Sequence, residues 1–138
     1  MADPELAAAF DRLTRRAVAI ELPVLAAHEL TMWEYVVLSG LVRGPAQTQA
    51  RLAEAVGRDK TRLIPILDAL EARGLLVRAP DPDDRRNKIV TLTDPGRALR
   101  AAVATSIRAA EEELLRPLEA AERRTFRALL GRLHDDGR

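Results

Sequence analysis

Two charge clusters in this 138-residue chain have spacings with chemical consequences. In PDPDDRRNK, residues 80–88, Asp84 and Arg86 stand two apart. At the tip of a turn the carboxylate can hold the guanidinium and leave its other donors facing outward. Arg85 and Lys88 flank that pair. Upstream, Arg58, Lys60 and Arg62 crowd the start of a helical segment, where cations oppose the positive end of the macrodipole. A polyanion would relieve that opposition, because helix N-termini bind phosphate. A preorganised arginine likewise suits a narrow, negative minor groove. Each cluster has a plainer reading by itself: a solvated basic face, and an ordinary Asp- and Asn-rich turn. Their succession, basic helix and then charged hairpin, points to nucleic acid.

Local signals specify the elements that must position these groups. Leu6, Phe10, Leu13, Ala17 and Ile20 recur at spacings of three and four, which predicts a first helix that Pro23 ends or kinks. Thr31 and Glu34 form a T-x-x-E capping box, with Leu30 and Tyr35 at the staple positions, so a helix should run from Thr31 to about Leu41, before Gly44-Pro45. Two shorter helices follow in TQARLAEAV and DKTRLIPILDALEARG, the second capped by Asp59 and stopped by Gly74. Across their junction Ala53, Gly57, Leu63 and Ile66 have the small–glycine–apolar spacing of a helix-turn-helix. In the second helix Leu63, Ile66, Leu67 and Leu70 define the core side. Thr61, Pro65 and Asp68 lie opposite, with Arg58, Arg62 and Ile64 on the flanks.

GLLVRAP and KIVTLT read as the strands of a hairpin around the charged tip. Thr93 or Asp94 should cap the next helix, with Pro95 in its first turn, extending to about Leu115. After a break at Pro117, a last helix carries Leu118, Glu122, Phe126, Leu129, Leu130 and Leu133. The expectation is a single domain over residues 1–138, mainly α with a small β-hairpin. A hairpin placed directly after the second helix is the wing of a winged helix-turn-helix.

Composition narrows the function. Hydrophobic residues make up 47% but aromatics only 3%, so the core must be Leu, Val, Ile and Ala, which suits packed helices. The absence of cysteine excludes disulfides, thiolate zinc sites and thiol redox sensing, and fits a reducing compartment. No run approaches the roughly 18 apolar residues of a membrane span, and the acidic start is unlike a signal peptide. Net charge is +1, unevenly placed: residues 43–100 carry 12 basic and 8 acidic side chains, against 3 and 6 in residues 1–42 and 7 and 7 in residues 101–138. His28 and His134 lie far apart without a nucleophile motif, and Ser39 and Ser106 are embedded in helices. Glu111–Glu113 reads as a solvated helix face. Neither an enzyme nor a metal or cofactor site is expected.

The stretch from Leu30 to Leu99 resembles the core of MarR-type transcriptional regulators through LTMWEYVVL, ARLAEAVGRDKTRLIPILDALEARGLLVR and DDRRNKIVTLTDPGRAL. The last piece fits the family's D-x-R-x5-L-T-x-x-G pattern at Asp84, Arg86, Leu92, Thr93 and Gly96. The resemblance implies a winged helix-turn-helix core at 31–100 and helical dimerisation regions at 1–30 and 101–138. It implies a cytoplasmic, nucleoid-associated homodimer on palindromic double-stranded DNA, most often a repressor. Lys60, Thr61, Arg62 and Pro65 then fall in a recognition helix, 60–73, for the major groove. Asp84 and Arg86 fall at the tip of a wing, 80–88, for the minor groove, with Arg58, Arg85 and Lys88 as further DNA contacts.

Pro65 departs from the polar or basic residue often found there. It can kink the helix or touch a thymine methyl. Family members also respond to small aromatic or phenolic effectors, for which His28 and Trp33 are the candidates here; Trp33 as core and His28 as a surface residue is the competing reading. The alternative function is a winged-helix module that binds protein instead of DNA.

Overall fold

A computed structural model of the chain describes residues 3, 5–43 and 46–135; Gly44 and Pro45, expected beyond the second helix, lie outside the described residues. The helices are α1 (Leu6–Ala27), α2 (Met32–Val42), α3 (Gln49–Val56), α4 (Lys60–Ala72), α5 (Asp94–Glu111) and α6 (Ala120–Asp135). The strands are β1 (Gln47–Thr48), β2 (Leu76–Pro80) and β3 (Lys88–Leu92). The chain divides into two compact units, residues 22–106 and residues 1–21 with 107–138. Among the described residues no helix is long and apolar enough to cross a membrane.

In the unit of residues 22–106, caps set the helix starts. The Thr31 hydroxyl accepts the Glu34 N–H at 3.2 Å while the Glu34 carboxylate accepts the Thr31 N–H at 2.8 Å, closing the capping box. Asp59 accepts the Arg62 N–H at 2.9 Å. Gly57 leaves α3 at φ +71, a left-handed turn that β-carbon-bearing residues resist. Leu38, Leu52, Leu63, Leu67, Leu70, Leu76 and Val90 are fully buried, so α2, α3, α4 and the sheet share one aliphatic core.

The sheet is antiparallel in the order β1-β3-β2, with β2 and β3 paired from Leu76–Leu92 to Pro80–Lys88. Strand β1 was not anticipated. Its two residues sit opposite Val90 and Ile89, too few to show an alternating pattern. The foot of the hairpin explains the T-x-x-G part of the motif. The Thr93 hydroxyl donates to the Gly74 carbonyl at 2.6 Å and accepts the Gly96 N–H at 3.1 Å. A β-carbon at position 96 would collide with the Leu75 carbonyl oxygen.

Two helix boundaries differ from expectation. Helix α1 continues through Pro23 to Ala27. A proline removes one N–H from the ladder and leaves the turns on either side bonded. The stop comes at Glu29, which takes φ 56 while the Leu30 N–H reaches back to the Leu25 carbonyl at 2.9 Å. Helix α5 ends at Glu111, short of Leu115, and the chain tightens there into three-residue bonds such as Glu113 to Ala110 at 3.1 Å. Pro117 follows, and a proline drives the residue before it out of the helical region.

The second unit holds the start of α1, the end of α5 and all of α6. Arg123 binds it together, donating to Glu112 at 2.6 Å and to the Leu118 carbonyl at 2.9 Å. Ile107 and Leu115 are buried, but several of its apolar side chains are uncovered. Leu6 is 73% exposed, Phe10 44% and Leu133 68%, and α6 has no buried residue among those described.

Candidate nucleic-acid interface

The wing tip is built by backbone bonds before any partner arrives. The Asp81 N–H donates to the Asn87 carbonyl at 3.0 Å, and the Asn87 N–H to the Asp84 carbonyl at 2.9 Å. The Asp81 side chain accepts the Asp83 N–H at 2.9 Å. On this frame Arg86 donates Nε to Asp84 Oδ1 at 3.1 Å and Nη2 to Oδ2 at 3.3 Å, a two-point contact. These side-chain bonds first, and the Arg86 backbone N–H to Oδ1 at 3.2 Å second, hold the Asp84 carboxyl below its ordinary range. The Arg86 side chain is nonetheless 91% exposed. Arg85 and Lys88 are exposed beside it.

Helix α4 exposes Lys60, Thr61, Arg62, Ile64 and Pro65, while Leu63, Leu67 and Leu70 are buried. Arg62 lies 3.4 Å from the cap carboxylate of Asp59, which offsets part of the opposition between these cations and the macrodipole. Pro65 stands inside the helix and cannot donate to the Thr61 carbonyl.

Arg58 does not join this exposed group. Its guanidinium stacks over the Trp33 ring at 4.1 Å, and its Nε is buried without a hydrogen-bond partner. A cation over an indole face is attracted by the ring quadrupole, and here that attraction fastens the helix-turn-helix turn to α2. Arg58, expected as a further DNA contact on the flank of this helix, is half-buried, whereas Lys60 and Arg62 are exposed.

The same contact covers one face of Trp33, the ring assigned to an effector. His28 is half-buried, and its carbonyl accepts Arg73 Nη2 at 3.4 Å. Neither residue borders the cavity of about 530 Å³ in the helical unit, which Phe10, Leu13, Leu115, Leu118, Phe126 and Arg127 help to line.

Sequence reasoning passed over Arg78. On β2 it is only 12% exposed and meets two helices. Its Nη2 donates to Asp68 and, at 3.0 Å, to Glu71; Nη1 donates to Gln49 at 3.4 Å; its backbone N–H donates to Glu71 at 3.0 Å. Glu71 is held below its ordinary range chiefly by the side-chain bond from Arg78. The signal was available. Alternation along a strand puts residue 78 on the same face as fully buried Leu76, so its charge had to find partners inside.

Comparison with known proteins decides the family. Residues 30–88 match the MarR family. Over 107 residues the chain is 36% identical to the HTH-type transcriptional repressor NicR of Pseudomonas putida, an alignment covering 78% of this chain and 68% of that protein. The chain belongs to the MarR family. It is a transcriptional regulator with a winged helix-turn-helix. The chain spans 60%, 68% and 78% of the length of three curated relatives it matches. Among solved MarR-type structures it is similar to the transcriptional repressor CouR bound to a 23-mer DNA duplex, at 34% identity and TM-score 0.78, covering 97% of this chain and 93% of that one. It is also similar to BpsR of Bordetella bronchiseptica, a structure concerned with regulation of DNA binding by 6-hydroxynicotinic acid. There identity is 30% and TM-score 0.74, covering 95% and 94% of the two chains.

Proposed function

We propose that this chain binds palindromic double-stranded DNA as a homodimer and represses transcription until a small aromatic effector releases it. It acts by binding rather than by catalysis, in the cytoplasm at the nucleoid. The observation that carries the reading is Arg86, held at two points by Asp84 while almost wholly exposed. An exposed ion pair adds little to a fold, so a fixed, outward guanidinium is best explained by a partner. Arg85 and Lys88 reach phosphates beside it, and the exposed start of α4 with Lys60, Thr61 and Arg62 enters the major groove.

The uncovered Leu6, Phe10 and Leu133, with an α6 that has no fully buried residue, support a second copy as the cover for the helical unit. The duplex bound to CouR and the 6-hydroxynicotinic acid of BpsR support the partner and the effector class. An aromatic effector that stacks on Trp33, near His28, competes with Arg58 for the ring.

Salt tests the reading. A protein contacting six to ten phosphates loses roughly 10³–10⁵-fold in affinity between 50 and 200 mM salt. Fluorescence anisotropy with a labelled palindromic duplex should show that slope. A loss below about tenfold would remove the phosphate contacts and leave a protein-binding module.

A further inference from the structure

The proposed recognition helix contains a residue that works against it. Pro65 is an interior residue of α4, Lys60–Ala72, and proline is the least favourable residue in a helix interior. Its side chain is exposed, so burial in the core does not offset the lost hydrogen bond. A local rule broken at the surface without a compensating contact is what functional sites display. One residue earlier, Ile64 is 36% exposed, and one turn earlier Thr61 adds a methyl group. The remaining member of this face, Asp68, is bonded to Arg78, which also holds Glu71 and Gln49. One oxygen of that carboxylate is therefore committed within the subunit. What α4 offers outward is a small apolar surface rimmed by Lys60 and Arg62.

We infer that Pro65 and Ile64 are specificity-determining residues that read thymine C5-methyl groups in the major groove. The inference rests on the DNA-binding reading above. The thymine methyl is the apolar feature among the major-groove edges, where the other bases show donors and acceptors that neither side chain can satisfy. Arg78 serves the same end by retaining Asp68, since a free aspartate in the groove would accept from cytosine N4. Thymine is then selected by contact and cytosine gains nothing.

Duplexes selected from a random pool by the full chain define the half-site. Each thymine in it is then replaced, one at a time, by deoxyuridine, which keeps the pairing edge and loses only the methyl. At one or two positions wild-type binding should weaken about fourfold, the effect of burying one methyl group. At those positions Pro65→Ala and Ile64→Ala should bind thymine and uracil duplexes alike. Pro65→Ala removes a helix breaker, so its melting temperature should rise and its loss of discrimination cannot be ascribed to unfolding.

Uracil indifference of the wild type throughout the half-site overturns the inference while salt-dependent binding still upholds the DNA reading. Unchanged uracil sensitivity in both variants overturns the assignment to these two residues. If no duplex is enriched and none binds, both readings fall together.

Discussion

The foot and the tip of the wing each pair an arginine with carboxylates, and the two pairs do opposite jobs. Arg78 at the foot is 12% exposed and joins β2 to Asp68 and Glu71 of α4 and Gln49 of α3. Arg86 at the tip is 91% exposed and, among the described residues, pairs with Asp84 alone, two residues before it. Removing Arg78 empties the space it fills against two helices and breaks its side-chain bonds to Asp68, Glu71 and Gln49 together. Removing Arg86 breaks one exposed pair whose partner returns to water. The foot holds the wing to the proposed recognition helix. The tip leaves its guanidinium exposed, as the proposed DNA contact requires.

The largest effect expected from this contrast is on Arg78. Arg78→Ala should lower unfolding free energy by about 2 kcal/mol, read from urea denaturation at fixed protein concentration. An unchanged midpoint would erase the distinction between foot and tip. Arg86→Ala sharpens the contrast from the other side. Its unfolding free energy should stay within about 0.5 kcal/mol of wild type, while duplex affinity falls about tenfold or more. Arg86→Lys should recover only part of that affinity, because an ammonium restores the charge without the planar fork.

The smallest effects concern pH, and here the two units differ in sign. Hydrogen bonds from Arg78 hold Glu71 below its ordinary 4.5. A depressed carboxyl contributes stability that is complete above its unfolded pKa and lost as pH falls through the folded one. Glu21 in the helical unit goes the other way, raised above 4.5 by burial first and by Glu111 second. Its contribution is present below that value and lost as pH rises through the raised one. Melting curves between about pH 3 and 8 should therefore show Glu71→Gln flattening the acid limb. Glu21→Gln should flatten the opposite limb and raise stability at neutral pH. Matching slopes in both variants would contradict these environments.

Much of the architecture was legible beforehand. Thr31 with Glu34, Asp59 as a cap and Gly57 at a turn all act within three or four residues, and the structure shows each. The bidentate hold of Asp84 on Arg86 is also local, spanning two positions. The misses are longer-range. Strand β1 exists because β3 offers it an edge, and the stacking of Arg58 on Trp33 joins residues 25 positions apart. Pro23 by its own chemistry ends or kinks a helix, and the helical turns on both sides of it carry α1 to Ala27, so it does not end α1.

The amino-acid order alone determined the helix starts, the hairpin with its charged tip and the pattern shared with MarR-type regulators, because caps, turns and periodicity are interactions between near neighbours in the chain. Tertiary structure decided which charges are free. Arg78 and Gln49 are 29 positions apart, and only folding brings them together, occupies Asp68 and leaves Thr61, Ile64 and Pro65 facing outward. A charged side chain's role follows from whether burial forces it to find partners, and burial is a property of the packed chain.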